Sequence, residues 1–203
     1  MNIFLDSAAL EEVSDASELG LLDGVLVRPE ALTEASLTGL DATMRHYRTL
    51  AELTDAPVLV PAPSAASTDA DALIHDGELL TDLHPNIVIS LPLTRAGMRA
   101  LSFFGEKGIK ACALDITSVA QAVLAARVGA AFIQVPVNRL ENEGQEWLRL
   151  LEQLVTVYDN YSFSTLIVAA GIRTPLQLAL CAEQGIDVCA CHASLLYDQL
   201  TQG

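Results

Sequence analysis

The chain has 203 residues, of which 51% are hydrophobic, and a formal net charge of −15. This length allows one sizeable core and lies near the lower limit for a barrel of eight βα units. The negative charge disfavours nucleic acid and anionic membranes as partners, and no apolar run reaches the roughly 18 residues of a membrane-spanning helix.

Short apolar runs occur at regular intervals along the whole chain. They are nearly continuous, which is typical of parallel strands that are buried on both faces. The predicted strands are Ile3–Leu5, Gly24–Val27, Val58–Val60, Ile87–Leu91, Ala111–Leu114, Ala131–Val135, Leu166–Ala170 and Val188–Cys191.

An amphipathic segment follows each apolar run, with apolar residues spaced three and four apart, as in a helix that covers a sheet. The predicted helices are Ala8–Leu19, Asp41–Leu53, Asp69–Leu80, Arg95–Phe104, Val119–Val128, Gln145–Tyr158, Pro175–Glu183 and Ala193–Leu200. Four of them follow a residue suited to capping a helix N-terminus, namely Ser7, Thr94, Ser118 and Thr174.

This alternation of strands and helices predicts a single (β/α)8 TIM barrel that occupies residues 1–203 as one domain. A doubly wound open sheet is the alternative, but it rarely reaches eight units in so short a chain. The Pro61–Ser67 segment follows the third strand, so we expect it at the C-terminal face, where the sites of barrels are built.

Several short motifs, in shared order and spacing, resemble the small transaldolases and fructose-6-phosphate aldolases. They are Ile3–Asp6, Gly24–Pro29, Leu91–Gly97, Thr117–Ala122, Val128–Ala130, Val137–Arg139, Ala169–Ala170 and Arg173–Pro175. The resemblance covers nearly the whole chain and implies the same barrel. It also implies a chemistry in which a lysine amine forms a Schiff base with a ketose.

The segment Asn86–Thr94 resembles the fourth strand of that family, which usually reads Val-Lys-Val-Pro-Val-Thr. Ser90 stands at the lysine position, and a hydroxyl cannot form an iminium ion. The only two lysines of the chain, Lys107 and Lys110, lie near the start of the fifth predicted strand, at the opposite end of a barrel. We therefore expect no Schiff-base aldolase activity.

Other positions also depart from the family's pattern. The family has Asn, Gln or Glu, Thr, Tyr and Ser where this chain has Arg28, Pro61, Leu114, Pro136 and Gly171, respectively. The family's first-strand carboxylate and sixth-strand arginine remain, as Asp6 and Arg139.

The candidate catalytic residues are Asp6, Ser90 and Asp115. Asp6 either handles a proton, as the resemblance implies, or is a carboxylate beside the first helix. Ser90 either acts as a nucleophile with a nearby base or is an inert residue that lines the pocket. Asp115 is a new acid or base, or the counterion of Arg28.

Arg28 either binds an anion or pairs with Asp6 or Asp115, and pairing is favoured because a buried charge needs a partner.

The candidate ligand-binding residues are Arg28, Arg139 and Gly171. Arg139 either binds an anionic group or pairs with Glu141 or Glu143. Gly171 replaces the serine of the family's phosphate-binding loop.

The sequence predicts no cofactor and no metal site. Metal-dependent aldol chemistry would need several histidines at strand ends, whereas the four histidines are scattered and are assigned mostly to helices or strand starts. Cys189 and Cys191 lie on one face of a strand, and packed thiols explain them better than a metal does. All four cysteines are expected to be reduced.

Two functional hypotheses follow. In the favoured hypothesis, the chain is a protein of carbohydrate (sugar phosphate) metabolism without Schiff-base chemistry. It either binds a small phosphorylated or carboxylated molecule or serves a structural or regulatory role. The alternative is an enzyme with altered chemistry. The start of the chain lacks a basic signal region, so we expect a cytoplasmic protein. The resemblance implies assembly through a C-terminal helix, which we expect this chain, ending at Gly203, to lack. A homo-oligomer therefore remains an open possibility.

Overall fold

The computed structural model describes residues 1–34 and 39–200. Its eight strands form a closed barrel in which neighbours in sequence pair in parallel and the last strand pairs with the first. The strands are β1 (Asn2–Asp6), β2 (Gly24–Leu26), β3 (Val58–Pro61), β4 (Ile87–Pro92), β5 (Ala111–Leu114), β6 (Phe132–Pro136), β7 (Leu166–Ile172) and β8 (Val188–Cys191). The predicted TIM barrel is confirmed, and the pairing of β1 with β8 excludes the open sheet.

Helices follow the strands around the outside of the barrel. They are α1 (Leu10–Glu18), α2 (Pro29–Glu34), α3 (Leu40–Glu52), α4 (Ala70–Thr81), α5 (Arg95–Glu106), α6 (Val119–Arg127), α7 (Val137–Asn142), α8 (Trp147–Tyr161), α9 (Pro175–Glu183) and α10 (Ala193–Leu200). The sequence did not predict α2 and α7. Each has only six residues, too few to show a helical period. Both follow the C-terminal end of a strand, so they border the site.

Three predicted helix caps are confirmed, because their hydroxyl oxygens accept a hydrogen bond from the backbone N–H three residues later; these are Thr94, Ser118 and Thr174. The prediction for Ser7 is wrong. The first helix begins two residues late, at Leu10, after an extended Ala9. The Ser7 hydroxyl instead accepts from the Ala9 N–H and donates to the Glu12 carboxylate.

The apolar side chains inside the barrel form one cluster, and those between the strands and the helices form another. The members of the cluster inside the barrel are Phe4, Leu26, Leu59, Val88, Cys112, Phe132, Val168, Ala170, Val188 and Ala190. Side chains alternate between the two faces of a strand, so the residue two positions after an interior residue also points into the barrel. At the C-terminal ends of the strands, this rule places side chains in the mouth of the barrel.

The cysteines pack in the core rather than at the mouth. All four are free and buried, and Cys189 and Cys191 belong to the layer between the barrel and the helices. The Cys189 thiol contacts the Met1 thioether at 3.4 Å. Within residues 1–34 and 39–200, no group of histidine, cysteine or acidic residues has an arrangement that could hold a metal ion. None of the described helices is long and apolar enough to cross a membrane.

Candidate functional site

A pocket of about 300 Å³ opens at the C-terminal mouth of the barrel. Its wall includes all six residues that the sequence singled out as catalytic or ligand-binding, namely Asp6, Ser90, Asp115, Arg28, Arg139 and Gly171. Three further positions where the chain departs from the family pattern also line it, namely Pro61, Leu114 and Pro136. The departures that the resemblance implies therefore lie at one place in the molecule.

The alternation of side chains explains why these residues meet. In β1, β3, β4 and β5 the pocket residue stands two positions after an interior residue, and the pairs are Phe4 with Asp6, Leu59 with Pro61, Val88 with Ser90, and Cys112 with Leu114. The same step leads from Phe132 to Gln134 in β6 and from Ala190 to His192 after β8. The site is a continuation of the barrel interior to the open end.

A buried ion pair joins β1 to the loop after β2. The Arg28 guanidinium donates from Nε to both carboxylate oxygens of Asp6, at 2.6 and 2.8 Å. The Asp6 side chain is 0% exposed, whereas that of Arg28 is 27% exposed. Burial raises the pKa of the Asp6 carboxyl above its ordinary value, and the Arg28 guanidinium acts against that rise. Of the two partners that the sequence left open for Arg28, the structure gives Asp6.

The outer part of the Arg28 guanidinium has two further neighbours. Its Nη1 lies 3.7 Å from the carboxylate of Glu30, and its Nη2 lies 3.5 Å from Nε2 of His192. An arginine can only donate, so Nε2 of His192 is the acceptor wherever this contact is a hydrogen bond. The guanidinium is thereby held across the mouth between β1 and β8.

Arg139, on the short helix after β6, carries a second ion pair. Its Nη1 lies 3.3 Å from the carboxylate of Asp115, and its Nε lies 3.9 Å from that of Glu143. Asp115 is therefore the counterion of Arg139 and not of Arg28. Its backbone has φ +61°, a left-handed conformation that an aspartate tolerates better than most side chains. Both members of the pair are about half exposed, so solvent can compete for either group.

The loop after β7 holds a third arginine against the pocket. Arg173 is exposed, and it forms no ion pair with another residue of the described ranges. Buried Gln177 fixes this loop, because its side-chain oxygen accepts from the N–H groups of Arg173 and Thr174 while its amide donates to Glu141 at 2.7 Å. Glu141 stands two positions after Arg139 on the same helix, so the two side chains do not face each other.

Gly171 lies in an irregularity of the β7–β8 pairing, where the register shifts between Ala170 and Ile172. Its φ is +76°, and an added Cβ would lie 3.0 Å from Cβ of Asn138. A bulge of this kind turns the strand backbone towards the site. A side chain at this position would therefore be strained, and the backbone takes its place in the pocket wall.

Two uncharged polar side chains lie deeper, on the inward faces of β4 and β6. Ser90 is 1% exposed, and its hydroxyl lacks a hydrogen-bond partner in the described part of the chain. Its register neighbour on β5 is Cys112. Burial raises the pKa of the Cys112 thiol to about 12, and an interaction with the nearby Ser90 hydroxyl, which does not meet the geometry of a hydrogen bond, acts in the opposite direction. Gln134 is 7% exposed, and its side-chain amide makes no hydrogen bond with any other described residue.

Comparison with known proteins places this chain in a family. Residues 3–201 match the model of the family described as transaldolase/fructose-6-phosphate aldolase. The chain belongs to this family. Probable transaldolases of Chlorobium phaeobacteroides and Cytophaga hutchinsonii are 37% and 34% identical to it, over 97% of this chain and 87% and 88% of their own lengths. A crystal structure of a protein from Burkholderia cenocepacia J2315 shares the fold alone, with a TM-score of 0.70 at 13% identity over 98% of this chain and 88% of that chain.

Both lysines of this transaldolase-family chain lie at the end of the barrel opposite the pocket, as the sequence predicts. Lys107 follows the last turn of α5, where its ammonium pairs with Glu78 at 3.0 Å. Lys110 immediately precedes β5 and lines a different cavity, next to Phe132 at the start of β6. Ser90, by contrast, lies on the pocket side of β4.

His192 was not predicted as a site residue, because the pattern of the sequence places the histidines mostly on helices and at strand starts. His192 directly follows β8 and reaches the pocket beside Arg28. The side chains of Val188 and Ala190 point into the barrel. Extending this alternation one step beyond the strand predicts that His192 points into it as well. The same rule would have found Gln134 from Phe132.

Proposed function

We propose that this member of the transaldolase family binds a small phosphorylated or carboxylated molecule of carbohydrate metabolism and forms no Schiff base with it. The observation that carries the proposal is the kind of cation in the pocket. All three positively charged side chains in its wall are guanidinium groups: Arg28, Arg139 and Arg173. A guanidinium stays protonated in a protein, so it binds anions well and cannot act as an amine nucleophile.

The charge distribution supports anion binding at the rim. Three carboxylates of the wall, those of Asp6, Glu30 and Asp115, balance the three arginines, although the whole chain has a net charge of −15. The pocket is therefore far less repulsive to an anion than the average surface. Arg139 and Arg173 are the ligand-binding arginines of the proposal, because both are exposed.

Arg28 has a different role in the proposal. Its ion pair with buried Asp6 holds the guanidinium against the pocket wall. Arg28 therefore contributes a positive charge at a fixed position and is not a mobile ligand-binding side chain. Asp6 is then the structural partner of Arg28, and Asp115 orients Arg139. Ser90 is a pocket-lining residue with no base in hydrogen-bond contact with its hydroxyl among the described residues.

Anion binding can be tested by thermal shift, since a ligand that binds only the folded state raises its stability. We expect inorganic phosphate and fructose 6-phosphate to raise the melting temperature of the wild type, and Arg139→Met and Arg173→Met to reduce this rise. Arg149→Met is the matched control, because Arg149 pairs with Glu146 on an exposed helix face away from the pocket. The proposal is wrong if none of the phosphorylated or carboxylated compounds tested raises the melting temperature.

Borohydride trapping with dihydroxyacetone or fructose 6-phosphate, followed by mass spectrometry, tests the chemistry. We expect no covalent adduct. A reduced adduct on Lys107 or Lys110 would contradict the proposal. Ser90→Lys is the informative variant: aldolase activity in it would show that the pocket geometry still supports Schiff-base chemistry once an amine is present.

His192 supports a second candidate function, that of an enzyme with altered chemistry. It adds an imidazole beside Asp6 and Arg28, and imidazoles are the commonest proton-transfer groups of enzymes. Turnover of a sugar phosphate or a related carbonyl compound that is abolished by His192→Gln would favour this function over simple binding.

A further inference from the structure

We propose that Cys181, Cys189 and Met1 form a binding site for a soft metal ion such as Cu(I). Two thiols and a thioether meet in the layer between the barrel wall and the helices, where α9 packs beside β8 and the residue before β1. This place is on the outer side of the barrel wall. It is separate from the pocket at the mouth, so the inference does not depend on the proposed function.

The two thiols belong to different elements. Cys181 lies on the buried face of α9 and Cys189 on the outward face of β8, and both residues are 0% exposed. The alternation along β8 explains this direction, since Val188 and Ala190 on either side of Cys189 point into the barrel. The thiols are near enough to act on each other, because their interaction lowers the pKa of Cys181 and raises that of Cys189.

The thioether of Met1 adds a third sulfur atom. It lies 3.4 Å from the sulfur of Cys189. Strand pairing explains the contact, because Ile3 stands opposite Cys189 and Met1 follows on the same face of β1 two positions away. The chain has four cysteines and three methionines, so three of its seven sulfur atoms meet here. Met1 is 53% exposed, which gives an ion a route from solvent to the buried thiols.

The ligand type determines which ion the site favours. Thiolate and thioether sulfur favours Cu(I), whereas carboxylate and carbonyl oxygen favours Mg²⁺ and Ca²⁺. Cys189 and Cys191 alone offer too few ligands, and the described histidine, cysteine and acidic side chains do not by themselves make a metal site. Adding the thioether of Met1 to the thiols of Cys181 and Cys189 gives three soft ligands and no oxygen ligand.

The spacing of the sulfur atoms suits a metal ion after a small movement. With metal–sulfur bonds of about 2.3 Å, three sulfur atoms around one ion in a plane lie about 4 Å from one another. The contact between Cys189 and Met1 therefore has to open by about half an ångström from its 3.4 Å. The exposed Met1 side chain can make this movement without disturbing the barrel wall.

Binding releases protons in a defined way. Each thiol loses its proton when it becomes a thiolate ligand, whereas the thioether binds as it stands. No electron is transferred if the ion enters as Cu(I). The affinity should therefore rise with pH, and Cys181 is the thiol that ionises more readily, since its pKa is lowered by the neighbouring Cys189.

The test is a titration of the full chain with Cu(I) without oxygen, in competition with a chromophoric Cu(I) chelator. We expect one ion per chain and a melting temperature that rises on binding. Cys181→Ala and Cys189→Ala should each bind at least about a hundredfold more weakly, because a lost ligand costs no less than a lost outer partner of a ligand. Cys112→Ala is the matched control, because it removes an equally buried thiol from inside the barrel and should bind like the wild type.

The role of Met1 is tested with selenium, in a measurement that needs no change at the site. Met44→Leu/Met98→Leu leaves Met1 as the sole methionine, so growth on selenomethionine places selenium at that position alone. We expect X-ray absorption at the selenium edge to show copper as a direct neighbour once Cu(I) is bound.

Three results would overturn the site. The first is equal Cu(I) affinity in the wild type and in both cysteine variants at the site. The second is a melting temperature that stays unchanged or falls with Cu(I), which would mean that the ion binds thiols of the unfolded chain. The third is bound copper without a selenium neighbour, which would exclude Met1 as a ligand and with it the three-sulfur site.

Discussion

Replacing Arg28 by methionine removes the only ion-pair partner that the structure gives Asp6 in the described part of the chain. The carboxylate is then left buried without a counterion, since its side chain is 0% exposed. Breaking a buried pair in this way costs about 3–5 kcal/mol of unfolding free energy. Arg28 is itself 27% exposed, so water can enter the vacated space and we expect the lower end, about 3 kcal/mol near neutral pH. For a chain of this length, the loss lowers the melting temperature by about 6–12 °C.

The pH dependence of this loss identifies its cause. Burial already raises the folded-state pKa of Asp6 above 3.8, and loss of the guanidinium raises it further. A carboxyl with a raised folded-state pKa favours folding most below pH 3.8, and this contribution is lost as the pH rises through the folded-state value. The stability gap between wild type and Arg28→Met should therefore widen with rising pH and narrow as the pH falls towards 3.8.

Urea unfolding at several pH values measures the gap, with two further variants as controls. Asp6→Asn/Arg28→Met has no buried carboxylate, so it should be more stable than Arg28→Met near neutral pH and show no such widening. Arg149→Met breaks an exposed pair and should change stability by less than about 1 kcal/mol. The reasoning is refuted if Arg28→Met loses the same stability at all pH values, or if the double variant is no better than the single one.

Three further changes test other parts of the site. Asp115→Val should be less stable than Asp115→Gly by about 1–2 kcal/mol in urea unfolding, because φ is +61° there; equal stabilities would contradict the left-handed backbone. Ser90→Ala should raise stability by about 1 kcal/mol in the same assay, because it removes an unsatisfied buried hydroxyl, whereas a decrease would reveal a partner for that group. At about pH 8, a thiol reagent should label Cys112 and Cys191 only after unfolding, because both are buried and burial raises the pKa of each thiol to about 12; rapid labelling of either one in the native protein would contradict this burial.

The barrel could be predicted from the sequence because its signals are local and repeated. Runs such as Ile87–Leu91 and caps such as Thr94 depend on a few neighbouring residues. An apolar run reappears in every βα unit, and a side-chain cap in several of them. The short helices α2 and α7 could not be predicted, because six residues do not show a period and their formation depends on the strand ends that they follow. Ser7 resembles a cap in sequence, but its hydroxyl is used by the turn at Ala9.

The site could be predicted only in part. The residues that line the pocket can be predicted from the ends of the strands and from the alternation of side chains along each strand. All six predicted site residues lie in the pocket. The ion pairs could not be predicted from the sequence, because Arg139 could reach acidic residues close to it in the chain as well as Asp115. In the structure Asp115 lies nearest, at 3.3 Å, and Glu141 accepts from Gln177. These are contacts between different βα units, which sequence spacing does not reveal.

The position of Ser90 on β4 and that of Arg28 against Asp6 have a common physical consequence for the pocket. A buried carboxylate such as Asp6 requires a nearby cation to remain charged. A lysine can meet that need and can also lose its proton to attack a carbonyl, whereas a guanidinium can meet only the first need. With Ser90 on β4 and Arg28 against Asp6, the pocket keeps a fixed positive charge without a reactive amine. We infer that such a mouth favours binding of a charged, hydroxylated molecule over covalent capture of its carbonyl.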